Sequence, residues 1–359
     1  MAQHGLDAPR PMEGHGAYNR SSSVQAAGLL PAVALLEAAA AELRLPSPPQ
    51  ALVVADYGAA TGHNSLLPLS AALAALRRRI GRERPVWVVH TDLPDNDFSS
   101  LFATLEHDPE RYALDDPMVY WSAVGRSFYE QILPSASVAL GWSSWAVQWL
   151  SRVPALIPDH VQVADSRDEG TRGAFARQAG EDWLAFLAAR SRELVPDGRL
   201  VVVTMATADD GAFGYRPLLA AIEGGLKALV GDGTVSADEV LRMVIPTVGR
   251  SRADFSRPFA GSGGHEGLAL DGLDIYEAED RIFAGYRTDG DAAAFGARWS
   301  AFSRASVFPT LAAALGGADS AARSLRFMDR LEAEVAARLA TAPEAMRIPL
   351  ARMTIRKVA

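Results

Sequence analysis

The stretch that decides the fold is Ala51–Asn64, ALVVADYGAATGHN. Its apolar run ends at Asp56 and opens into a loop that contains Gly58 and Gly62. This pattern predicts the first buried strand of a doubly wound α/β domain, followed by a cofactor-binding loop at the carboxyl end of the strand. The glycines permit a tight turn and a close approach of the backbone to a ligand. An ordinary strand-to-loop turn of an α/β protein would show the same pattern. The other motifs in the chain are therefore needed to distinguish a cofactor-binding loop from such a turn.

The composition is that of a globular protein with an acidic surface. The 359 residues are 49% hydrophobic and 22% charged, with a net charge of −8. This charge argues against a nucleic-acid-binding surface and against passive binding to an anionic membrane. The absence of cysteine excludes disulfides, thiolate metal sites and a cysteine nucleophile. The first residues, MAQHGLDAPR, lack the apolar core of a signal peptide, and no run is long enough to span a membrane, so we expect a cytoplasmic protein.

Strand and helix patterns alternate through the first part of the chain. A helix is predicted to end at Leu43, and a turn is predicted at Pro196-Asp197-Gly198. Buried strands are predicted at 52–55, 86–90, 119–124, 138–142 and 199–205. This alternation predicts a parallel sheet with right-handed crossovers.

The later part of the chain predicts a second structural unit. Residues 206–272 show helices and polar loops without clear strands, which we interpret as a helical cap. Residues 273–281 and 347–356 alternate in polarity and predict edge strands, with a helix at 321–341 between them. The predicted domains are a disordered tail at 1–11, a core made of 12–205 and 273–359, and the cap at 206–272.

The glycine spacing of the first loop restricts the kind of cofactor. Gly58-x-x-x-Gly62 is neither the GxGxxG dinucleotide fingerprint nor a P-loop, because no Lys-Ser/Thr pair follows. A pyrophosphate cradle is therefore disfavoured, and a nucleoside cofactor without phosphates fits better. Asp92, after the second strand, could accept hydrogen bonds from ribose hydroxyls. A helix N-cap is the alternative role for an acidic residue at such a position.

A tryptophan-rich stretch follows the fourth strand. In Trp142–Leu150, WSSWAVQWL, Trp145 and Trp149 are four residues apart and would share one face of a helix. This face could pack in the core. Indole and amide N–H donors without a fixed cation would also suit a carboxylate ligand.

Two further features are less specific. The pair Ser127-Phe128 predicts either an adenine slot with a hydroxyl at its rim or ordinary core aromatics. The seven histidines form neither a metal-binding pair at helical spacing nor an HExxH motif, and no G-x-S-x-G elbow occurs. We therefore predict no metal and assign no histidine a catalytic role.

In this order, these stretches resemble the SABATH family of S-adenosylmethionine (SAM)-dependent methyltransferases, which act on small carboxylic acids and some ring nitrogens. Residues 55–64, ADYGAATGHN, resemble the family's ADLGCSSGPN, and 92–98, DLPDNDF, resemble DLPGNDF. Residues 143–154, SSWAVQWLSRVP, resemble SSYSLHWLSQVP. Further matches are Met12-x-Gly14-x-Gly16 with Tyr18, Ser22 and Gln25, Ser127-Phe128-Tyr129 with Leu133-Pro134, and Glu193–Arg199, ELVPDGR.

The resemblance implies a Rossmann-like class I methyltransferase sheet with an added, mainly helical cap, SAM as cofactor and a homodimer. It implies cofactor contacts from Tyr18, Ser22, Asp56, Gly58, Asn64, Asp92, Leu93, Ser127, Phe128 and Ser143. It implies that Gln25 and Trp149 bind the substrate carboxylate, and that the pocket is lined by Trp145, Gln148, Leu218, Leu219 and Val248.

This sequence departs from the family pattern at four of these positions. Glu13 stands where plant members commonly carry lysine, and Trp145 stands where the family has tyrosine. Tyr57 replaces leucine and His63 replaces proline in the first loop. The substrates of plant members therefore do not transfer to this chain.

The chemistry expected from the resemblance needs no general base. A carboxylic acid has a pKa of about 4 and is ionised at pH 7, so it arrives as the nucleophile. We therefore predict in-line transfer of the sulfonium methyl group to a small aromatic or aliphatic carboxylate. The alternatives are N-methylation of a small heterocycle and a non-catalytic protein of the same fold that binds the cofactor or an acid. The missing GxGxxG disfavours a Rossmann-like oxidoreductase.

Overall fold

The computed structural model describes residues 23–47, 50–261, 265–316 and 320–358, and of residues 23–30 it describes the backbone only. Its centre is one seven-stranded sheet with the strand order β3-β2-β1-β4-β5-β7-β6. The strands are β1 (Leu52–Tyr57), β2 (Val86–Asp92), β3 (Val119–Gly125), β4 (Val138–Ser144), β5 (Leu194–Met205), β6 (Leu268–Glu277) and β7 (Pro349–Lys357). Strands β1 to β5 run parallel to one another, and β7 is antiparallel to both β5 and β6. The predicted parallel sheet is confirmed.

Eleven α-helices accompany the sheet in the described part of the chain. They are α1 (Ser23–Glu42), α2 (His63–Ile80), α3 (Phe98–His107), α4 (Glu169–Glu193), α5 (Arg216–Gly231), α6 (Ala237–Val240), α7 (Arg252–Ser256), α8 (Arg281–Asp289), α9 (Ala292–Ser306), α10 (Phe308–Ala312) and α11 (Ser320–Thr341). None of these described helices combines the length and apolarity needed to cross a membrane.

Two predicted strand boundaries are wrong, each because a bulge lies inside a longer strand. β5 begins at Leu194 rather than at 199, since the predicted turn is an irregularity at which Asp197 takes a φ of 62°. The pairing with β4 shifts register there and then continues. Likewise β6 begins at Leu268 rather than at 273, and its pairing with β7 shifts between Leu270 and Gly272. A bulge interrupts the alternation of side chains, which is why the pattern hid both strands.

The helices after β6 share a core with the predicted cap at 206–272. α11 packs on α5 and on α9. A Cβ atom on Gly296 of α9 would lie only 2.2 Å from the carbonyl oxygen of Ala336, and one on Gly225 of α5 would lie 2.9 Å from Leu331 Cδ1. Glycine thus allows close helix crossings. The predictions contained no helix between 281 and 320, although Asp280 and Asp291 cap α8 and α9 through their side chains.

A fully buried ion pair ties the sheet to the loop before β4. Both carboxylate oxygens of Glu193 bind the guanidinium of Arg190, at 2.9 Å each. Glu193 also accepts hydrogen bonds from the Tyr57 hydroxyl at 2.7 Å and from the backbone N–H groups of Ile132 and Leu133. Neither charge is exposed, so each depends on the other and on these hydrogen bonds.

We expect Glu193→Gln to lower the free energy of unfolding by about 3–5 kcal/mol, because the Arg190 charge would stay buried without a counter-ion. Denaturant unfolding of wild type and variant measures this loss. The matched control is Glu181→Gln on the same helix. Glu181 lies 3.5 Å from Arg152 in an ion pair that is largely exposed, so we expect this substitution to cost less than about 1 kcal/mol. Equal losses in the two variants would contradict a structural role for the buried pair.

Candidate active site

The order of the strands places the candidate site between β1 and β4. The chain runs outward through β2 and β3 on one side of β1 and through β4 and β5 on the other. In such sheets ligands bind at the carboxyl ends of the strands, where the order reverses. Asp56 at the end of β1, Asp92 at the end of β2 and the tryptophan-rich stretch after β4 all lie at this edge.

Asp92 fixes the loop that follows β1. Its Oδ2 accepts a hydrogen bond from Ala60 N at 2.7 Å and its Oδ1 accepts one from Leu93 N at 2.8 Å. Burial, together with the nearby Asp56 and Asp95 carboxylates, outweighs these hydrogen bonds and raises the pKa of Asp92 to about 6. A carboxylate has about four lone-pair sites, so acceptor capacity remains for hydroxyl groups of a ligand. Asp97, not Asp92, caps the helix that follows.

The two carboxylate oxygens of Asp56 have different surroundings among the described residues. Its Oδ2 is 2.8 Å from His90 Nδ1, and both side chains are buried. Its Oδ1 is also buried and has no hydrogen-bond partner among the described residues. A buried, unpartnered carboxylate oxygen is costly unless a ligand supplies a donor or a positive charge. SAM carries both a sulfonium and an α-amino group, so this side chain fits that cofactor.

Gly58 is needed for the close approach of two loops. It has a φ of 87°, and a Cβ atom there would lie 2.4 Å from Ala146 Cβ and 3.6 Å from Phe128 Cε1. Ser143 Oγ donates to the carbonyl oxygen of Tyr57 at 2.9 Å and so joins the ends of β1 and β4. The loops of the predicted cofactor site and of the predicted substrate site are therefore in contact.

The other predicted cofactor residues lie on the segments that follow β1, β2 and β3, or outside the described residues. Arg126 N donates to the carbonyl oxygen of Asp92 at 2.7 Å, which brings the following Ser127 and Phe128 to the site. Phe128 also packs on Tyr129 and Phe186, so it takes part in the core as well. Leu93 follows Asp92, and Asn64 lies in the first turn of α2. Tyr18 and Ser22 lie outside the described residues, and Gln25 is described only as part of the backbone of α1.

A cavity of about 80 Å³ opens beside the tryptophan-rich stretch. Four of the five predicted pocket residues line the cavity, together with Trp149. The four are Trp145, Gln148, Leu218 and Leu219. Val248 is not among its lining residues, so the structure does not bring that predicted residue to the cavity. The Val248 side chain packs instead with the apolar cluster around Leu150 and Val244.

The predicted helix through Trp145 and Trp149 is wrong. Trp145 has a φ of 51°, which is outside the helical region and strained for a bulky side chain. The strained backbone is held from two sides, because Trp145 N donates to Val203 O at 2.9 Å and Gln148 Nε2 donates to Trp145 O at 2.6 Å. Thr204 Oγ1 in turn donates to Gln148 Oε1 at 2.8 Å. The amide of Gln148 therefore supports the turn, and both indoles reach the cavity from a turn rather than from a helix face.

The structure adds residues that the sequence predictions missed. Gln162 and Thr247 line the cavity and bind each other through a 2.8 Å hydrogen bond. Tyr215 precedes α5, and Phe302 and Ser303 come from α9, in the range predicted as core. No local motif marks these residues, because distant segments bring them together.

The lining of this cavity is electrically neutral. The remaining members of the lining are Met205, Phe213, Ile222, Ile245, Ser306 and Val307, so none of the described lining residues is acidic, basic or histidine. Within the described part of the chain, no cluster of three or more potential metal ligands occurs. The carboxylates of the candidate site are thus confined to the side of β1 and β2.

Comparison with known proteins gives a consistent result. The profile of the family of SAM-dependent carboxyl methyltransferases matches residues 10–352. The chain is 28% identical to a methyltransferase of Gibberella moniliformis over 69% of this chain and 66% of that protein. It is 26% identical to the benzoate O-methyltransferase of Zea mays over 67% of this chain and 70% of that protein. The chain thus spans just under two thirds of the length of the Gibberella relative.

The fold comparison agrees with the sequence comparison. Loganic acid methyltransferase, solved with S-adenosylhomocysteine (SAH), matches with a TM-score of 0.78 and 20% identity, over 97% of this chain and 99% of that one. This likeness confirms the predicted class I methyltransferase fold. The profile match covers most of the chain, so the SABATH resemblance is confirmed: the chain belongs to the family of SAM-dependent carboxyl methyltransferases.

Proposed function

We propose that this protein transfers the methyl group of SAM to the carboxylate of a small carboxylic acid and releases a methyl ester and SAH. In this step the S–CH₃ bond breaks, an O–CH₃ bond forms, and the bonding electron pair stays on sulfur. The neutral cavity beside Trp145 and Trp149 carries the proposal. It lies next to a carboxylate-bearing edge that fits a cationic cofactor.

The absence of a base from the described lining supports an acid as the acceptor. A phenol or alcohol has a pKa of about 10 or above and would need a base to remove its proton. A carboxylic acid is ionised at neutral pH without help. The neutral cavity wall therefore suits a substrate whose nucleophile arrives deprotonated.

We assign the binding of the two ligands to different residues. Asp56 and Asp92, with the loop segment of Ser127 and Phe128, would hold the cofactor. Trp149 and Gln25 would hold the substrate carboxylate with neutral N–H donors. Such donors orient the acid without the strong ground-state stabilisation that an arginine would add. The apolar side chains of the cavity, among them Leu218 and Leu219, would contact the rest of the acid and exclude water.

The remaining parts of the proposal concern organisation. We propose a cofactor-binding core and a helical cap, with α9 and α11 added to the predicted cap because α11 packs on both α5 and α9. We also propose a cytoplasmic homodimer without a nucleic-acid partner. The net charge of −8 supports the last point. Light scattering of the purified protein, with and without SAH, tests the oligomeric state.

An activity assay tests the function and its alternatives. The protein is incubated with isotope-labelled SAM and a panel of aromatic acids, aliphatic acids and ring-nitrogen heterocycles, and the products are identified by mass spectrometry. Label in a methyl ester supports the proposal. Label on a ring nitrogen would instead identify an N-methyltransferase, and SAM binding without any labelled product would identify a binding protein.

We expect Trp149→Phe to lower kcat/KM for the acid by about tenfold to a hundredfold, because the ring is kept while one N–H donor to a charged group is lost. Steady-state kinetics with the best acid of the panel measures this. Trp87→Phe is the matched control, since Trp87 lies on β2 at the opposite end of the sheet and is half exposed. Unchanged kinetics in Trp149→Phe would remove Trp149 from the proposed site.

We expect the Kd of SAH to rise several-fold as the pH falls through about 6, because Asp92 then takes up a proton and loses an acceptor for the ribose hydroxyls. Isothermal titration calorimetry between pH 8 and pH 5 measures the change. The raised pKa means that the folded state binds the Asp92 proton more tightly than the unfolded state, so this group does not unfold the protein at low pH. Asp92→Asn should bind SAH more weakly and without this pH step, and a step that persists in the variant would contradict the assignment.

A further inference from the structure

A buried chain of hydrogen bonds lies behind the Asp56 carboxylate. Asp56 Oδ2 is 2.8 Å from His90 Nδ1, and His90 Nε2 is 2.8 Å from the hydroxyl of Tyr112. The two rings are stacked, with centroids 6.0 Å apart. His90 and Asp56 are paired directly across β1 and β2, so the sheet itself fixes their separation.

The partners on the two sides of His90 determine where the imidazole proton lies. Burial raises the pKa of Tyr112 far above its usual range, with a further contribution from the Asp56 carboxylate, so the phenol keeps its proton. A carboxylate oxygen only accepts hydrogen bonds, so His90 Nδ1 is the donor in the contact with Asp56 Oδ2. In a neutral imidazole the other nitrogen, Nε2, then accepts, and the Tyr112 hydroxyl can donate to it. The imidazole N–H is consequently at Nδ1 and is donated to Asp56 Oδ2.

The hydrogen bond to His90 uses Oδ2 of Asp56, and Oδ1 takes no part in it. Oδ1 is buried without a hydrogen-bond partner among the described residues. Within the described part of the chain, neither lysine nor arginine forms an ion pair with Asp56, whose recorded partner is His90. A buried carboxylate in this state favours a cationic ligand strongly.

We propose that His90 and Tyr112 are positioning residues, which hold the Asp56 carboxylate with Oδ1 available to the α-amino group of the cofactor. The inference rests on the proposed function, because it requires that the protein binds SAM and SAH. His90 sets the rotation of the carboxylate through Oδ2, and Tyr112 favours the tautomer of His90 that donates from Nδ1. Neither residue needs to touch the ligand, so their effect is confined to the amino acid part of the cofactor.

Two ligands separate this effect from a general loss of structure. SAH contains the α-amino group, whereas 5′-methylthioadenosine contains the same nucleoside and thioether without the amino acid part. Calorimetry gives the Kd of both ligands for wild type, Tyr112→Phe, His90→Leu and His90→Asn. An asparagine amide can replace the Nδ1 donor of His90, although it cannot reach Tyr112.

We expect Tyr112→Phe and His90→Leu to raise the Kd of SAH by about tenfold, the usual scale for one hydrogen bond to a charged group, and to leave the Kd of methylthioadenosine unchanged. His90→Asn should restore most of the SAH affinity that His90→Leu loses. The matched control is Tyr120→Phe, at an exposed position on β3, and it should change neither Kd.

The possible outcomes separate this inference from the proposed function. Weakening of both ligands by the same factor would show that the residues act only through the fold, and unchanged SAH binding would remove them from the site; either result overturns the inference. Failure of the wild-type protein to bind SAH at all would overturn the proposed function itself. Tyr112→Phe conserves the ring and its packing, so it keeps the test valid if His90→Leu does not fold.

Discussion

The site depends on the contact between the loops after β1 and β4. Gly58 and Ala146 are so close that a Cβ atom on Gly58 would lie 2.4 Å from that of Ala146. The positive φ at Gly58 allows the first loop to turn at this point, which few residues other than glycine permit. The loops bring the acidic side chains of β1 and β2 next to the tryptophans after β4. Two ligands that exchange a group must be held side by side, and this contact brings their candidate sites together.

The buried pair of Arg190 and Glu193 supports the same region from the far side of β1. Arg190 donates to the backbone carbonyls of Phe128 and Glu130, and its guanidinium lies 4.0 Å from the centroid of the Tyr57 ring. Tyr57 is the residue that replaces leucine of the family pattern, and its hydroxyl donates to Glu193. The hydroxyl that Tyr57 adds, compared with the leucine of the family pattern, thus has a buried hydrogen-bond partner in Glu193. The segment that carries Phe128 is held in place by charge and hydrogen bonds rather than by apolar packing alone.

The sequence predicted the sheet, and the position of two acidic side chains at its edge, because these signals are local. Asp56 and Asp92 each end an apolar run, and parallel strands necessarily bring such residues to one edge of the sheet. The cavity was only partly predictable, since its wall combines segments that are far apart in the chain. Nothing near Phe302 distinguishes it from a core residue, and the role of Gln148 in holding the strained turn of Trp145 appears only once φ and hydrogen bonds are known.

The division of charge between the two halves of the site has a chemical consequence. The Asp56 and Asp92 carboxylates lie at the β1 and β2 edge, while the described lining of the cavity has no charge. A cationic ligand is therefore favoured at one half, and an acid that enters the other half finds its counter-charge in that ligand rather than in the wall. Transfer of a methyl cation to a carboxylate removes both charges. An arginine in the cavity would lose its partner at that moment. The proposed N–H donor, the indole of Trp149, would interact with acid and ester more evenly, so excessive binding of the anion would not raise the barrier.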